Sequence, residues 1–280
     1  MTGSTRRQGC RLLLTLTLLL LLTACGKSAS SETDSTSAPA PEASSEPVEL
    51  TISAAASLTD ALQDIKQAYE AENDGVALQF NFGASGALQQ QIEQGAPADI
   101  FLSAATKNMQ ALVDGGLIEA NQQHNLLSNE LVVITTADSN IVIGAEKDLL
   151  RTEIQRIAIG IPESVPAGSY AKEALTAASI WDSLQPKTVQ AKDVRQVLQY
   201  VETGNADAGF VYKTDALSSQ GVKIALTVNP AAYSPIQYPA GIVKATQHPE
   251  EAEAFYRYLQ SDEAKAIFEK YGFSMAQPSE

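Results

Sequence analysis

From residue 48 to residue 270, short β-prone apolar runs alternate with stretches of helical period, and this alternation restricts the fold more than any other feature of the chain. Apolar residues at every second position mark strands; apolar residues three and four apart mark helices. "VELTISAA" (48–55) predicts a strand, and Leu58, Leu62, Ile65 and Tyr69 lie on one face of a helix predicted over 58–72. The order then repeats: strand 76–83, helix 86–94, strand 98–104, helix 106–114 and an apolar strand over 129–136. A strand over 156–162 leads to a helix from about 169 to 179, and a helix over 193–203 precedes strands at 207–212, 222–227 and 239–244. Helices over 249–260 and 262–270 complete the pattern. Strands alternating with helices imply an α/β fold with mostly parallel sheet. Some twelve elements are better divided between two lobes than placed in one sheet. Crossings are expected near 127–130 and near 233–238, the second marked by Pro235 and Pro239. Lobe 1 is then discontinuous, 48–128 with 237–280, and lobe 2 is 129–236.

The segment before residue 48 has a different character. Arg6, Arg7 and Arg11 lead into the apolar run 12–22, too short to span a membrane as a mature helix, and "LTAC" (22–25) follows. Small residues directly before a cysteine resemble a bacterial lipoprotein signal, which predicts a signal peptide over 1–24, cleavage before Cys25, and lipid on Cys25. Cys10 lies inside that signal, so the mature chain keeps no cysteine pair for a disulfide. Residues 26–47 are rich in Ser, Ala, Pro, Glu and Thr and poor in the apolar residues a core needs; they read as a flexible tether. Each acyl CH₂ buried in a bilayer contributes about 0.8 kcal/mol, so acyl chains on one residue can hold a soluble domain at a membrane surface.

The formal net charge is −14, and loss of the three signal arginines takes it to −17. With no block of Lys or Arg anywhere, nucleic acid is excluded as a partner. Such a protein also cannot draw in an anion by its overall field; if it binds one, local dipoles must do so.

Those dipoles are available at the strand-to-helix turns. Ser57 opens "SLTD", a near relative of the capping box, so it is either a helix cap or a donor at a helix start. A helix N-terminus leaves four N–H groups without partners in the helix and carries about half a positive charge, which makes it a ready anion site. The device recurs in "NFGASGAL" (81–88), where Gly83 and Gly86 allow close approach or positive φ and Ser85 can cap the next helix. "PESVPAGSYAKEAL" (162–175) is a third such turn, with Pro166 and Gly168 shaping it and the Ala167 N–H free to point outward. "AKDVRQVL" (191–198) is a fourth, with Asp193 as N-cap and Val194 as first helical residue; "GFVYKTDAL" (209–217) ends a strand on Tyr212. Turns at the carboxyl ends of parallel strands are where open α/β sheets hold ligands. By contrast, His124 and His248 read as surface residues, Trp181 as a packing residue, and no cluster has metal-ligand spacing or the pairing that acid–base chemistry requires.

Seven stretches together carry a family resemblance: "AAASLTDAL", "GAPADIFLSA", "LLSNELVVI", "VPAGSYAKEAL", "DVRQVL", "GFVYKTDA" and "IFEKYGF". In this order and spacing, across nearly all of 48–273, the chain resembles the extracytoplasmic molybdate-binding proteins of ABC importers. The resemblance implies a two-lobed type II periplasmic-binding-protein fold, each lobe a mostly parallel sheet flanked by helices, joined by two crossing strands. It implies that an oxyanion in the cleft touches Ser57 and Ser85 through hydroxyl and N–H, Ala167 and Val194 through N–H alone, and Tyr212 through its phenol. The ligand would be molybdate, with tungstate as a near equivalent, and molybdenum would be held only as the oxyanion, with no protein metal ligand and no cofactor. The implied partners are an ABC permease with its ATPase, and a bacterial membrane through Cys25; the chain would be a monomer, extracytoplasmic, and not an enzyme. A site for another tetrahedral oxyanion such as sulfate, or for a small organic acid, is the alternative reading. An enzyme, or a lipid-anchored adhesion protein, is less consistent with the residues.

Overall fold

The structure is a computed structural model that describes residues 47–276, all within one compact unit. The predicted signal (1–24), the lipidation site Cys25 and all but the last residue of the tether lie outside the described residues.

Eleven strands and nine α-helices are present among the described residues. The chain runs β1 (Val48–Ala55), a 3-10 turn Ala56–Leu58, α1 (Thr59–Glu72), β2 (Val76–Gly83), α2 (Ser85–Glu93), β3 (Ile100–Leu102) and α3 (Thr106–Asp114). Next come β4 (Ile118–Ser128), β5 (Leu131–Thr136), β6 (Ile157–Gly160), α4 (Pro166–Ala177), α5 (Trp181–Leu184), β7 (Thr188–Ala191), α6 (Val194–Glu202) and β8 (Ala208–Tyr212). The last elements are α7 (Lys213–Leu217), β9 (Val222–Thr227), β10 (Gln237–Val243), α8 (Pro249–Tyr258), α9 (Asp262–Lys270) and β11 (Ser274–Met275).

Two sheets result. The first has the order β11-β4-β10-β3-β1-β2 and the second β7-β6-β8-β5-β9. The chain passes from the first to the second at residues 129–130 and returns through 228–236, close to the expected crossings. The α/β, two-sheet architecture is as expected, but each sheet is more mixed than the alternation suggests. Parallel pairing is confined to β3-β1-β2 and to β7-β6-β8, where helices connect successive strands. The pairs involving β10, β4, β11, β5 and β9 are antiparallel, because a strand that crosses between sheets enters its new sheet without a βαβ connection.

The parallel strands explain the small residues at their ends. β1 lies between β2 and β3, and its second half, Ile52–Ala55, is buried on both faces. Side chains of α1 pack over it with Ala61, Leu62, Ile65 and Tyr69 buried on one helical face, the face read from the sequence. α6 likewise buries Val194, Val197, Leu198 and Val201 against the second sheet. One large apolar cluster runs through both halves; a smaller one joins α2 and α3 to β3 and β10 through Leu88, Ile92, Phe101, Met109, Leu112 and Val243. Trp181 packs partly buried against the large cluster, with the Lys172 ammonium over its ring.

Candidate anion site

The carboxyl ends of β1 and β2 lie side by side, with Ala55 opposite Gly83, so the turns that follow them open at the same edge. In the second sheet Gly160 of β6 is opposite Ala191 of β7, and β8 runs parallel to β6 and ends at Tyr212. These edges face one small cavity, with room of about 10 Å³ for the centre of a water-sized sphere. Ser57, Ser85, Ala167, Val194 and Tyr212 all line it, and all five are buried. The remaining lining is almost wholly small and apolar: Ala55, Ala56, Gly83, Ala84, Ala104, Val165 and Pro166. Among the described residues, no lysine, arginine, histidine, aspartate or glutamate reaches the cavity wall.

Each residue arrives there for a local reason. Pro166 is the first residue of α4, where its missing N–H is no loss, so the Ala167 N–H is the first donor of that helix and has no acceptor inside it. Asp193 caps α6 as expected, its side chain accepting from the Gln196 N–H at 2.8 Å; the Val194 N–H is left without an intrahelical acceptor. The Tyr212 hydroxyl has no hydrogen-bond partner among the described residues despite being buried, a state that normally requires explanation. Burial, then the neighbouring Tyr238, push its pKa well above the ordinary tyrosine value, so the phenol keeps its proton and acts as a donor.

Both serines differ from the capping role the sequence allows. Neither the 3-10 turn nor α1 has a side-chain cap, and the Ser57 hydroxyl instead lies 2.9 Å from the Tyr238 hydroxyl on β10. Ser85 is the first residue of α2 rather than its cap, and its Oγ accepts the Ala104 N–H at 2.9 Å. A capping motif specifies only residue type and spacing; the partners that override it lie 181 and 19 residues away. The Ser85 hydroxyl spends its acceptor on a backbone N–H, so its own proton is available to a ligand. Gly83 and Gly86 do not adopt positive φ. Gly86 is required for another reason: its N–H donates to the Ser164 carbonyl at 2.9 Å, and a Cβ there would lie 2.6 Å from that oxygen.

Sequence reasoning missed the polar groups around the cavity. Arg195, the residue after Val194, bridges α6 to α1 through Asp60 (2.6 Å) and faces the fully buried Asp215 of α7 at 2.9 Å. Its Nε–H is poorly aligned with Asp215 Oδ1, so that pair is held by charge rather than by a directed hydrogen bond. Burial works against the Arg195 charge, but Asp215 and Asp60 outweigh it and raise its pKa. Burial raises the Asp215 pKa to about 6 even though Arg195 opposes the shift. "DVRQVL" displays the arginine, but nothing local announces which carboxylates it meets. Tyr238 and Asn129 were likewise silent: Asn129 donates to Tyr238 Oη at 3.3 Å and to Thr214 Oγ1 at 2.9 Å.

The histidines are not simple surface residues. Both are half-buried, and His124 Nδ1 lies 2.6 Å from the Tyr256 hydroxyl, with burial lowering its pKa. Neither reaches the cavity, and among the described residues no three His, Cys, Asp or Glu side chains are placed to hold a metal.

Comparison with known proteins shows the family and the fold. Residues 50–274 match the family model described as bacterial extracellular solute-binding protein. The Bacillus subtilis (strain 168) protein YvgL, whose name describes an ABC transporter substrate-binding lipoprotein, is 52% identical over 231 residues, covering 82% of this chain and 88% of its own. The molybdate-binding protein ModA of Escherichia coli (strain K12) is 40% identical over 239 residues, covering 83% and 91%. Among solved structures, the Azotobacter vinelandii periplasmic molybdate-binding protein superposes with a TM-score of 0.74 at 28% identity, covering 81% of this chain and all of that one.

Proposed function

The chain belongs to the bacterial extracellular solute-binding proteins, and from that premise we propose that it captures molybdate outside the cytoplasm and passes it to an ABC permease. The observation that carries this reading is the cavity wall: Ser57, Ser85, Ala167, Val194 and Tyr212, drawn from both halves, with no charged side chain among them. A fully ionised tetrahedral dianion offers only acceptors, and a shell of N–H and O–H donors meets that need. Neutral donors at helix starts supply positive potential without burying an unpaired cation. A protonated anion such as phosphate needs an acceptor as well, which this wall lacks in the form of a carboxylate.

Binding is the whole activity; the protein is not an enzyme and needs no cofactor. On this reading, among the described residues 48–128 with 237–276 belong to one lobe and 129–236 to the other. An anion held from both sides favours the arrangement in which they meet. Direct contacts between the two halves, Gly86 with Ser164, Arg195 with Asp60 and Lys107 with Ser169 among them, belong on this reading to that closed arrangement. Tungstate, nearly equal in size and charge, shares the site. We read the signal and Cys25 as a lipid anchor to a membrane, a reading supported by the lipoprotein name of YvgL, and the chain as a monomer. No helix among the described residues is long and apolar enough to cross a membrane.

A thermal-shift panel of molybdate, tungstate, sulfate, phosphate and chromate tests the reading. Molybdate and tungstate should raise the melting temperature most; a larger response to sulfate would replace the assignment. Calorimetry on Ser57→Ala and Ser85→Ala should show losses of about 1.5–3 kcal/mol each, the usual contribution of a hydrogen bond to a charged group. Unchanged affinity in both would remove these residues from the site.

A further inference from the structure

The direction of a hydroxyl proton decides whether it can serve an anion, and for Ser57 that direction is fixed by residues behind the cavity wall. Ser57 Oγ and Tyr238 Oη are 2.9 Å apart, and either could donate to the other. The ambiguity is resolved one step further back, at Asn129. Its Oδ1 accepts from the Glu130 N–H at 2.9 Å, a group that can only donate, which fixes the amide with Nδ2 on the other side. The two protons of Nδ2 then go to Thr214 Oγ1 at 2.9 Å and to Tyr238 Oη at 3.3 Å. Tyr238 is buried, so its own proton needs an acceptor, and among the described residues Ser57 Oγ is the one in hydrogen-bond geometry, the neighbouring Tyr212 hydroxyl having no such partner. Were Ser57 to donate instead, the tyrosine proton would be stranded in the interior.

We propose that Asn129 and Tyr238 form a one-way hydrogen-bond relay that points the Ser57 proton into the cavity and so selects anions that carry no proton of their own. Tyr238 and Asn129 are positioning residues: they act through Ser57 and do not line the cavity. The inference rests on the proposed contact between Ser57 and the oxyanion. It makes Ser57 match Ser85, whose acceptor is already occupied by the Ala104 N–H. Burial, followed by the nearby Asp215 carboxylate, pushes the Tyr238 pKa well above the ordinary value, so the relay keeps its central proton at any physiological pH. Both relay residues sit where the chain crosses between sheets: Asn129 immediately follows β4 and Tyr238 is the second residue of β10.

The test compares molybdate with inorganic phosphate, by calorimetry, at a pH where phosphate is the singly protonated dianion, so both ligands carry the same charge. Tyr238→Phe removes the relay's central hydroxyl and lets the Ser57 hydroxyl turn. Molybdate affinity should fall about tenfold, while phosphate affinity holds or rises, narrowing the ratio between them. Asn129→Asp offers Tyr238 an acceptor, reverses the relay, and should narrow the ratio further. Ser57→Ala reports on the underlying site. If Ser57→Ala is weakened but Tyr238→Phe and Asn129→Asp keep the wild-type molybdate-to-phosphate ratio, the relay is overturned while the site stands. If Ser57→Ala binds molybdate like the wild type, the site reading falls and the relay with it. Should Tyr238→Phe not fold, Asn129→Asp alone decides, because a merely structural asparagine would lower both affinities by the same factor.

Discussion

Gly86 and Gly168 both sit in the first turn of a helix, yet a methyl group at each would do different damage. At Gly168 the added carbon collides with the Gly160 carbonyl of the strand beneath, inside one half of the molecule. Gly168→Ala should therefore lower the melting temperature with or without ligand, by the equivalent of about 1–3 kcal/mol for overpacking. At Gly86 the obstacle is Ser164, which belongs to the other half. Gly86→Ala should leave the ligand-free melting temperature unchanged or slightly higher, since alanine favours helix over glycine by about 0.5–1 kcal/mol, but should shrink the upward shift produced by molybdate. Differential scanning calorimetry of both variants, with and without molybdate, separates the two cases. The sequence made these glycines visible but not their neighbours: of the two reasons it offered for Gly86, the structure bears out close approach and not positive φ, and the approach is to Ser164. The same holds for Ser57 and Ser85, whose position at a helix start was legible while their hydrogen-bond partners were not, because those lie on β10 and beside β3.

At the scale of elements, α1, α6 and α7 converge on Arg195. Asp215 is fully buried, so removing the arginine strands a carboxylate. Arg195→Met should cost about 3–5 kcal/mol of unfolding free energy near neutral pH, and less in mild acid, where Asp215 takes up a proton. The sign in the wild type follows from the raised pKa. Asp215 titrates near 6 in the fold against an ordinary 3.8, so the folded protein holds the extra proton between those values. Its contribution to stability is full below about pH 4 and is lost as pH rises through 6. Urea denaturation across this window should show that slope, and Asp215→Asn should flatten it. Most elements were readable because their burial is periodic: α1 and α3, for instance, carry their apolar residues on one face. β4 was not, because it buries side chains only at Ile118, Leu126 and Leu127, with a polar middle that has no alternation to detect. β7 and β11, four and two residues long, are defined by their neighbours rather than by their own pattern.

For the whole molecule, the charge and the proposed ligand have the same sign. A net −14 repels a dianion at long range. The association rate of molybdate, followed by stopped-flow fluorescence, should therefore rise with added salt over the range in which the Debye length shrinks from about 30 to 8 Å. A rate that falls with salt would point to a local cationic entrance that outweighs the net charge. The two-part division was legible because a dozen alternating elements exceed what one sheet comfortably holds. The antiparallel half of each sheet was not, since pairing direction depends on which strands the crossings bring together.

The cavity wall has one more consequence, for anyone who would redesign it. Two of the five proposed contacts, at Ala167 and Val194, are made by the main chain alone, and the surrounding alanines and glycines leave little side chain to exchange. Selectivity for size and shape, as distinct from protonation, is written largely in where helices begin. A library of point substitutions would mostly fill the cavity or leave it unaltered. Converting it to a larger or differently shaped anion would require lengthening a turn or shifting a helix by a residue, an edit of backbone register instead of an edit of chemistry.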